Sequence, residues 1–452
     1  MPVQGHDGEN EVTGRIRYFM QKAWHSQTVE NTFWVGAASA MSALLGAVSS
    51  GLYARTLGVN EYGVLTLIIS IVTMMVALSD LGIGGSIVRF GSEMIARGDA
   101  NGLRSVLSVA LKAKLTLSVI VLAGAVIFLN PIVGMVFTHV DSSITWYFLL
   151  SLVAVVFGML ASFFPPIFQS HRQFRTLAAV SISQPFMKVV VLVVFVYGFM
   201  SSALRVENAL WIEIGTGGGL LVLSYLCAPR NVISFRKADI PLRRRMLSFN
   251  KWLSLYYVLN LVGGRMDLFF VGGLADARAL GMYGAASKIV SIVVIVTNSY
   301  LTVLLPELSS AITPELIRKK QRHSILIVSL FGLGILLLAA AADLVVAIVF
   351  GPKFVGTGTM IRVMCVGLLC IVAAYPLNAT LFAWNRSEVF PIMSGAGIAA
   401  LIAGNAFFIP WMGALGAAVA FSLSGVVGIL MSSVIYFLHW RRREHESTGH
   451  TV

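Results

Sequence analysis

Charge is scarce in this 452-residue chain: only 12% of residues are Asp, Glu, Lys or Arg, about half the share usual in soluble proteins. Cysteine is scarcer still, and Cys227, Cys365 and Cys370 all lie in apolar stretches with no metal-ligand spacing around them. That pattern excludes a zinc or disulfide framework and leaves buried free thiols. Catalytic constellations are missing as well. No Ser/His/Asp set, HExxH motif or carboxylate dyad stands in a credible setting, and most histidines, His171 and His323 among them, fall in loops or tails. The glycine-rich run DLGIGGSIVRF (80–90) lacks the GK[ST] of a phosphate-binding loop and reads as a turn or helix break. With no nucleotide-binding domain, a self-contained ATP-driven pump is excluded.

Apolar residues fill the chain instead. They make up 57% of it, and mean hydropathy is +0.84. They occur as continuous runs near the twenty residues that a bilayer-spanning helix requires. Strands of a membrane barrel would alternate and be about half as long. The expected fold is therefore an all-α polytopic membrane protein of about twelve transmembrane helices. Approximate spans are 32–54, 61–83, 109–130, 144–165, 176–198, 208–228, 250–273, 282–306, 324–350, 358–383, 389–409 and 412–438. The seventh is the weakest, because Arg265 and Asp267 interrupt it. Residues 1–30 are polar and the first apolar run is long enough to stay as a span, so no cleavable signal is expected.

Net charge is +13. Numbered from the N-terminus, alternate connections hold most of the Lys and Arg, including the Arg89–Lys114, Arg230–Lys251, Arg318–Arg322 and Arg441–Arg443 groups. The opposite set holds only Arg55, Arg205, Arg278 and Lys353. By the positive-inside rule both termini are cytoplasmic. The excess of cations is thus topological, and no nucleic-acid partner is needed to explain it.

The longest basic connection divides the spans six and six. The expected layout is a cytoplasmic segment 1–30, an N-lobe 31–228, a basic linker 229–249, a C-lobe 250–438 and a cytoplasmic tail 439–452. The halves echo each other: EYGVLTLIISIV (61–72) resembles MYGAASKIVSIV (282–293), and IFQSHRQF (167–174) resembles LFAWNRSE (381–388). Each half starts and ends on the same side, so the repeat is parallel and pseudo-symmetric about the membrane normal.

A few charges remain inside the spans. Each costs roughly 3 kcal/mol or more at mid-membrane unless it faces protein or water. Lys188, Arg265 and Lys288 are too deep to snorkel and are expected to line a water-filled cavity, whereas Arg55, Arg362 and Asp343 lie near span ends. These five cations are the candidate substrate-binding set. Asp267, Glu213 and Asp80 are candidate coupling or charge-partner carboxylates, with Asp80 also placed to cap a helix or pair with a loop cation. A cavity richer in cations than anions suits phosphate or acidic sugar. Trp34, Tyr256, Tyr257, Asn260, Asn298, Tyr300, Tyr375, Asn378 and Trp384 are the aromatic and amide residues placed to meet sugar. The stretch GRIRYFMQKAWH (14–25) reads as a basic amphipathic helix on the cytoplasmic face.

The segment 51–90, with its A-R-x-L-G-x-x-x-Y-G run at 54–63 and L-x-D-L-G-x-G run at 78–84, resembles the opening of polysaccharide and oligosaccharide flippases. These belong to the multidrug/oligosaccharidyl-lipid/polysaccharide exporter superfamily. The resemblance implies two six-helix lobes alternating between inward- and outward-facing states. It implies a polyprenyl-pyrophosphate-linked glycan as cargo for cell-surface polysaccharide such as lipopolysaccharide or exopolysaccharide. It also implies a bacterial inner membrane, membrane lipids as surroundings, and a polysaccharide polymerase and glycosyltransferases as partners. No enzyme activity and no cofactor are expected, and Na+ or H+ coupling stays open. The first span lacks the acidic residue found in several drug-exporting relatives, which counts against a cation-coupled multidrug antiporter. A membrane scaffold for polysaccharide assembly, or an enzyme on lipid-linked sugars, are further alternatives.

Overall fold

In lipid every backbone N–H and C=O must be satisfied within the chain, so long apolar runs become helices. The computed structural model describes residues 27–136, 144–198, 204–229, 263–309, 314–384 and 389–448, together with positions 245, 246, 258 and 261. All its regular elements are helical. The first half comprises α1 (Gln27–Leu57), α2 (Val59–Leu78), α3 (Ile83–Ala96), α4 (Ala100–Ile127), α5 (Leu129–Val136), α6 (Ile144–Ala161), α7 (Phe164–Ser170), α8 (Phe174–Gly198) and α9 (Val206–Cys227). The second comprises α10 (Met266–Leu274), α11 (Ala277–Ser309), α12 (Pro314–Ala340), α13 (Ala342–Val349), α14 (Thr357–Ala383), α15 (Val389–Met412) and α16 (Ala414–Thr448).

Among the described residues ten helices are long and apolar enough to cross a membrane, and an eleventh span forms if α12 and α13, bent by 68°, are taken together. The protein is a multi-pass membrane protein. Of the expected spans, the first part of 250–273 falls largely outside the described residues, as do the 14–25 helix and most of the 229–249 linker.

Two boundaries differ from the sequence reading. The second span ends at Leu78 and not at residue 83, because Leu81 (φ 35°) and Gly82 (φ 81°) adopt left-handed conformations that stop the helix. After the stop α3 begins as a separate amphipathic helix. The third span starts earlier, at Ala100, with Asp99 capping it through the amide of Gly102. Lys112 and Lys114, assigned above to a loop, are therefore helical, and Lys114 is buried.

The two halves meet where α2 crosses α11. A Cβ on Gly63 would lie 2.5 Å from the carbonyl oxygen of Ala277, one on Gly281 would overlap that of Val59, and one on Gly284 would press on Thr66. Only glycine lets the backbones approach this closely. The YG dipeptides of the two echoed segments both lie at this crossing. Tyr62 hydrogen-bonds Ser50 at 2.6 Å on the preceding helix α1, and Tyr283 donates to Asp267 at 2.5 Å on the preceding helix α10.

The core is shared at one end and split at the other. One continuous cluster joins Tyr53, Leu67, Phe148 and Leu210 of the first half to Tyr283, Phe350, Phe354 and Leu368 of the second. It occupies mid-depth and the end bearing Arg55. At the opposite end the described residues form two separate clusters, one around Ile87, Phe90 and Phe168, the other around Trp384, Met393 and Tyr436.

Candidate functional site

Helix α8 brings Lys188 to mid-depth and the antiparallel α9 brings Glu213 to the same level, where Lys188 Nζ lies 2.7 Å from Glu213 Oε2. Tyr53 of α1 donates its hydroxyl to Glu213 Oε1 at 3.4 Å. Both charged side chains are largely shielded, at 18% and 12% exposure. They stand at the head of a cavity of about 490 Å³ between α2, α6, α8 and α9. From there the cavity runs past Gln184 and Gly217 to Ser162, Pro165 and Ser224, away from the Arg55 end.

Lys288, on α11, approaches the same region from the second half. Its ammonium lies 3.5 Å from where a Cβ would stand on Gly46 of α1, so Lys288 packs against the first half there. The charges of Lys188 and Arg265 repel Lys288, and that of Glu213 attracts it. Lys288 is thus coupled to two cations of other elements and to the Glu213 carboxylate. Asp267 is the carboxylate that attracts Arg265. It is buried against α11, holding the Tyr283 hydroxyl with one oxygen and its neighbour's amide, Leu268 N–H, with the other at 2.9 Å.

The remaining candidates are engaged elsewhere. Arg55 donates to the carbonyls of Ile348 and Val349, the latter at 3.2 Å from Nε, and so caps the C-terminal end of α13 across the boundary between halves. Beside it, Tyr62 packs on Phe350 and Phe354, with ring centroids 5.9 and 5.6 Å away. Arg362 bridges the bend between α12 and α13, binding Ala339 O at 3.2 Å and Asp343 at 2.5 Å. Asp80 pairs with Lys114 at 3.0 Å and accepts from the amide of Gly84 at 3.3 Å.

Of the aromatic and amide candidates, Tyr375 lies 3.5 Å from Thr297, Asn378 accepts from Ser432 and Trp384 stacks on Tyr436. Trp34 donates to Glu30, and Arg175 lies over its ring. Tyr256, Tyr257 and Asn260, and the side chains of Asn298 and Tyr300, lie outside the described residues. The sequence reading passed over Tyr53, Gln184 and Ser224. A signal was there: Ser181, Gln184 and Lys188 are spaced to share one helix face, as are Glu213, Gly217, Leu220 and Ser224. Among the described residues no cluster of His, Cys, Asp and Glu could hold a metal.

A curated relative, stage V sporulation protein B of Bacillus subtilis (strain 168), is 23% identical over 445 residues, covering 90% of this chain and 82% of its own. The fold is shared with solved transporters. An inward-facing multidrug resistance MATE family transporter of the MOP superfamily superposes with a TM-score of 0.73 at 12% identity, covering 91% of this chain and 96% of its own. The lipid II flippase MurJ, in an inward closed conformation, gives 0.70 at 14% identity, covering 88% and 86%. Residues 28–312 match the family described as polysaccharide biosynthesis protein. That match spans more than half of the sequence, and the chain belongs to this family.

Proposed function

We propose that the protein is a non-enzymatic transporter that flips a polyprenyl-pyrophosphate-linked oligosaccharide from the cytoplasmic to the outer leaflet of a bacterial inner membrane. The observation that carries this reading is the Lys188–Glu213 pair at mid-depth, with Lys288 packed against the first half from the second and Arg265 within its electrostatic reach. A site with three cations to two carboxylates, Glu213 and Asp267, keeps an excess of positive charge that favours an anionic cargo, and charge-assisted hydrogen bonds to phosphate are the strong kind. Family membership supports a role in polysaccharide assembly, where membrane glycosyltransferases and a polymerase would supply and consume the flipped unit. Flipping breaks no covalent bond, so neither catalytic residue nor cofactor is required.

With both termini cytoplasmic, the Arg55 end is outer. The shared core and the Arg55 cap then form an outer closure, and the cavity runs toward the cytoplasm. Two lobes, 31–228 and 250–438, would rock about the α2–α11 crossing, closing one end as the other opens. The lipid tail would stay in the bilayer while the charged and sugar portions cross through protein. A proton or sodium gradient would drive the cycle, and Glu213 and Asp267 are the carboxylates placed to respond to it. Asp80 serves as partner to Lys114.

Charge reversal tests the reading. In cells whose surface glycan depends on this protein, Arg265→Glu and Lys288→Glu should each lower glycan export while protein level and insertion hold. Unchanged export in both variants would refute the cation role. The MATE likeness suggests drug efflux as a second reading, but a cationic site would disfavour cationic drugs. Drug susceptibility should accordingly stay level when the protein is removed.

A further inference from the structure

The cavity has two chemically different parts. At its head the lining is ionic, with Lys188 and Glu213 paired at 2.7 Å. Toward its other end the polar lining is neutral: Thr73, Ser162, Ser181, Gln184 and Ser224. Thr73 and Ser162 are already satisfied, donating to the carbonyls of Ile69 and Met159 on their own helices at 2.7 and 3.0 Å. Ser224 differs. It is 1% exposed, and its hydroxyl has no hydrogen-bond partner among the described residues. A buried hydroxyl at membrane depth is expected to have a partner, and this one lines a cavity with room for a ligand. Eleven residues separate Ser224 from Glu213 along α9, so the two parts lie about 16 Å apart at 1.5 Å per residue. The volume of about 490 Å³ falls within the range of small-molecule sites.

Taking the anionic cargo proposed above as given, we infer that this cavity is a bipartite subsite within the first half. Lys188 receives the anionic group, and Ser224 with Gln184 receives an uncharged sugar ring on its cytoplasmic side. The chemistry narrows the ligand. No aromatic side chain lines the cavity among the described residues, so recognition runs through hydrogen bonds to ring hydroxyls and not through stacking. A flat aromatic drug would leave the Ser224 hydroxyl unmet, whereas a pyranose carries hydroxyls able to donate and accept on every edge.

The test uses the full chain in nanodiscs and two short-chain lipids, citronellyl pyrophosphate and the same lipid carrying one hexose. The wild type should bind the hexosyl form more tightly. Ser224→Ala and Gln184→Leu should each reduce that preference about three- to tenfold, the range for one lost hydrogen bond, with binding of the sugar-free lipid unchanged. Lys188→Gln combined with Glu213→Gln, which leaves neither charge alone, should weaken both ligands equally. Ser224→Ala removes an unpaired hydroxyl, so its melting temperature should hold or rise, separating lost recognition from lost folding. A sugar preference untouched by both neutral variants, or equal wild-type binding of the two lipids, overturns this inference alone. Failure of the wild type to bind either lipid overturns the proposed function with it.

Discussion

In the orientation proposed above, removing the Arg55 guanidinium should open the outer end of the bundle. Arg55 donates to two carbonyls, those of Ile348 and Val349, at the C-terminal end of α13, and thereby ties α1 of one half to α13 of the other. A hydrogen bond from a charged donor contributes roughly 1.5–3 kcal/mol when buried. Arg55 is exposed, so solvent competes for it and the pair together is better set at about 1.5–2 kcal/mol, helix-dipole attraction included. The packing of Tyr62 on Phe350 and Phe354 remains in the variant. Closure should therefore weaken about ten- to thirtyfold without disappearing. Ser50→Cys, at a position buried beneath the closure and bonded to Tyr62, reports it once Cys227, Cys365 and Cys370 are replaced. Arg55→Ala should raise its labelling rate from the outer side by that factor. An unchanged rate would show that the cap contributes nothing and would refute the reasoning.

Three other expectations follow from the same contacts. Asp80→Asn should destabilise more than Lys114→Met, because the first strands an ammonium that is 3% exposed while the second strands a carboxylate that is 33% exposed and keeps the Gly84 amide; breaking a buried pair costs about 3–5 kcal/mol, and thermal unfolding in detergent gives the order. Gly281→Ala should lower both melting temperature and export, since its Cβ would overlap Val59 O and push α2 from α11; wild-type behaviour in both assays would contradict the close crossing. The hydrogen bond from Arg175, with a second from Trp34, holds the Glu30 carboxyl below its ordinary value of 4.5. A lowered folded-state pKa means that the Glu30 contribution is complete above pH 4.5 and fades as pH falls through the depressed value. Wild type minus Glu30→Gln fluorescence, reporting Trp34, should show its midpoint below pH 4.5.

Much of the fold was readable because lipid leaves the backbone little choice. Continuous apolar windows mark where helices must run, and the YG echo at 62–63 and 283–284 marks the crossing at which the halves meet. Hydropathy cannot register a left-handed residue, so the stop at Gly82 and the amphipathic α3 after it were read only as a break. Lys114 was placed in a loop because charge was taken to mean solvent, whereas it pairs with a carboxylate 34 residues away. For the site, depth was legible but convergence was not. Lys188 and Glu213 stand near the middle of adjacent antiparallel helices, so their pairing could have been drawn from depth alone. Nothing local shows that Arg362 turns to Ala339 O and Asp343 at the bend between α12 and α13, or that Arg55 turns to carbonyls at the far end of α13, because the sequence does not advertise that bent pair.

Charge at the site bears on motion as well as on binding. Lys188 belongs to the first half, Lys288 and Arg265 to the second; Lys288 is repelled by both other cations and attracted by Glu213, while Asp267 offsets Arg265. If the protein works as proposed above, bringing the halves together at the cytoplasmic end would crowd these cations, and like charge would hold the empty protein open there. The proposed anionic cargo, bound between them, would reverse the sign and permit closure, coupling occupancy to movement without a separate switch. Lys288→Met should imitate that neutralisation. In a background without the three native cysteines, Ser224→Cys labelling from the cytoplasmic side should fall when Lys288→Met is added, and adding a soluble pyrophosphate should depress labelling far more with Lys288 present than with it replaced. Equal labelling in the two backgrounds, with and without pyrophosphate, would mean that repulsion across the boundary does not hold the cavity open.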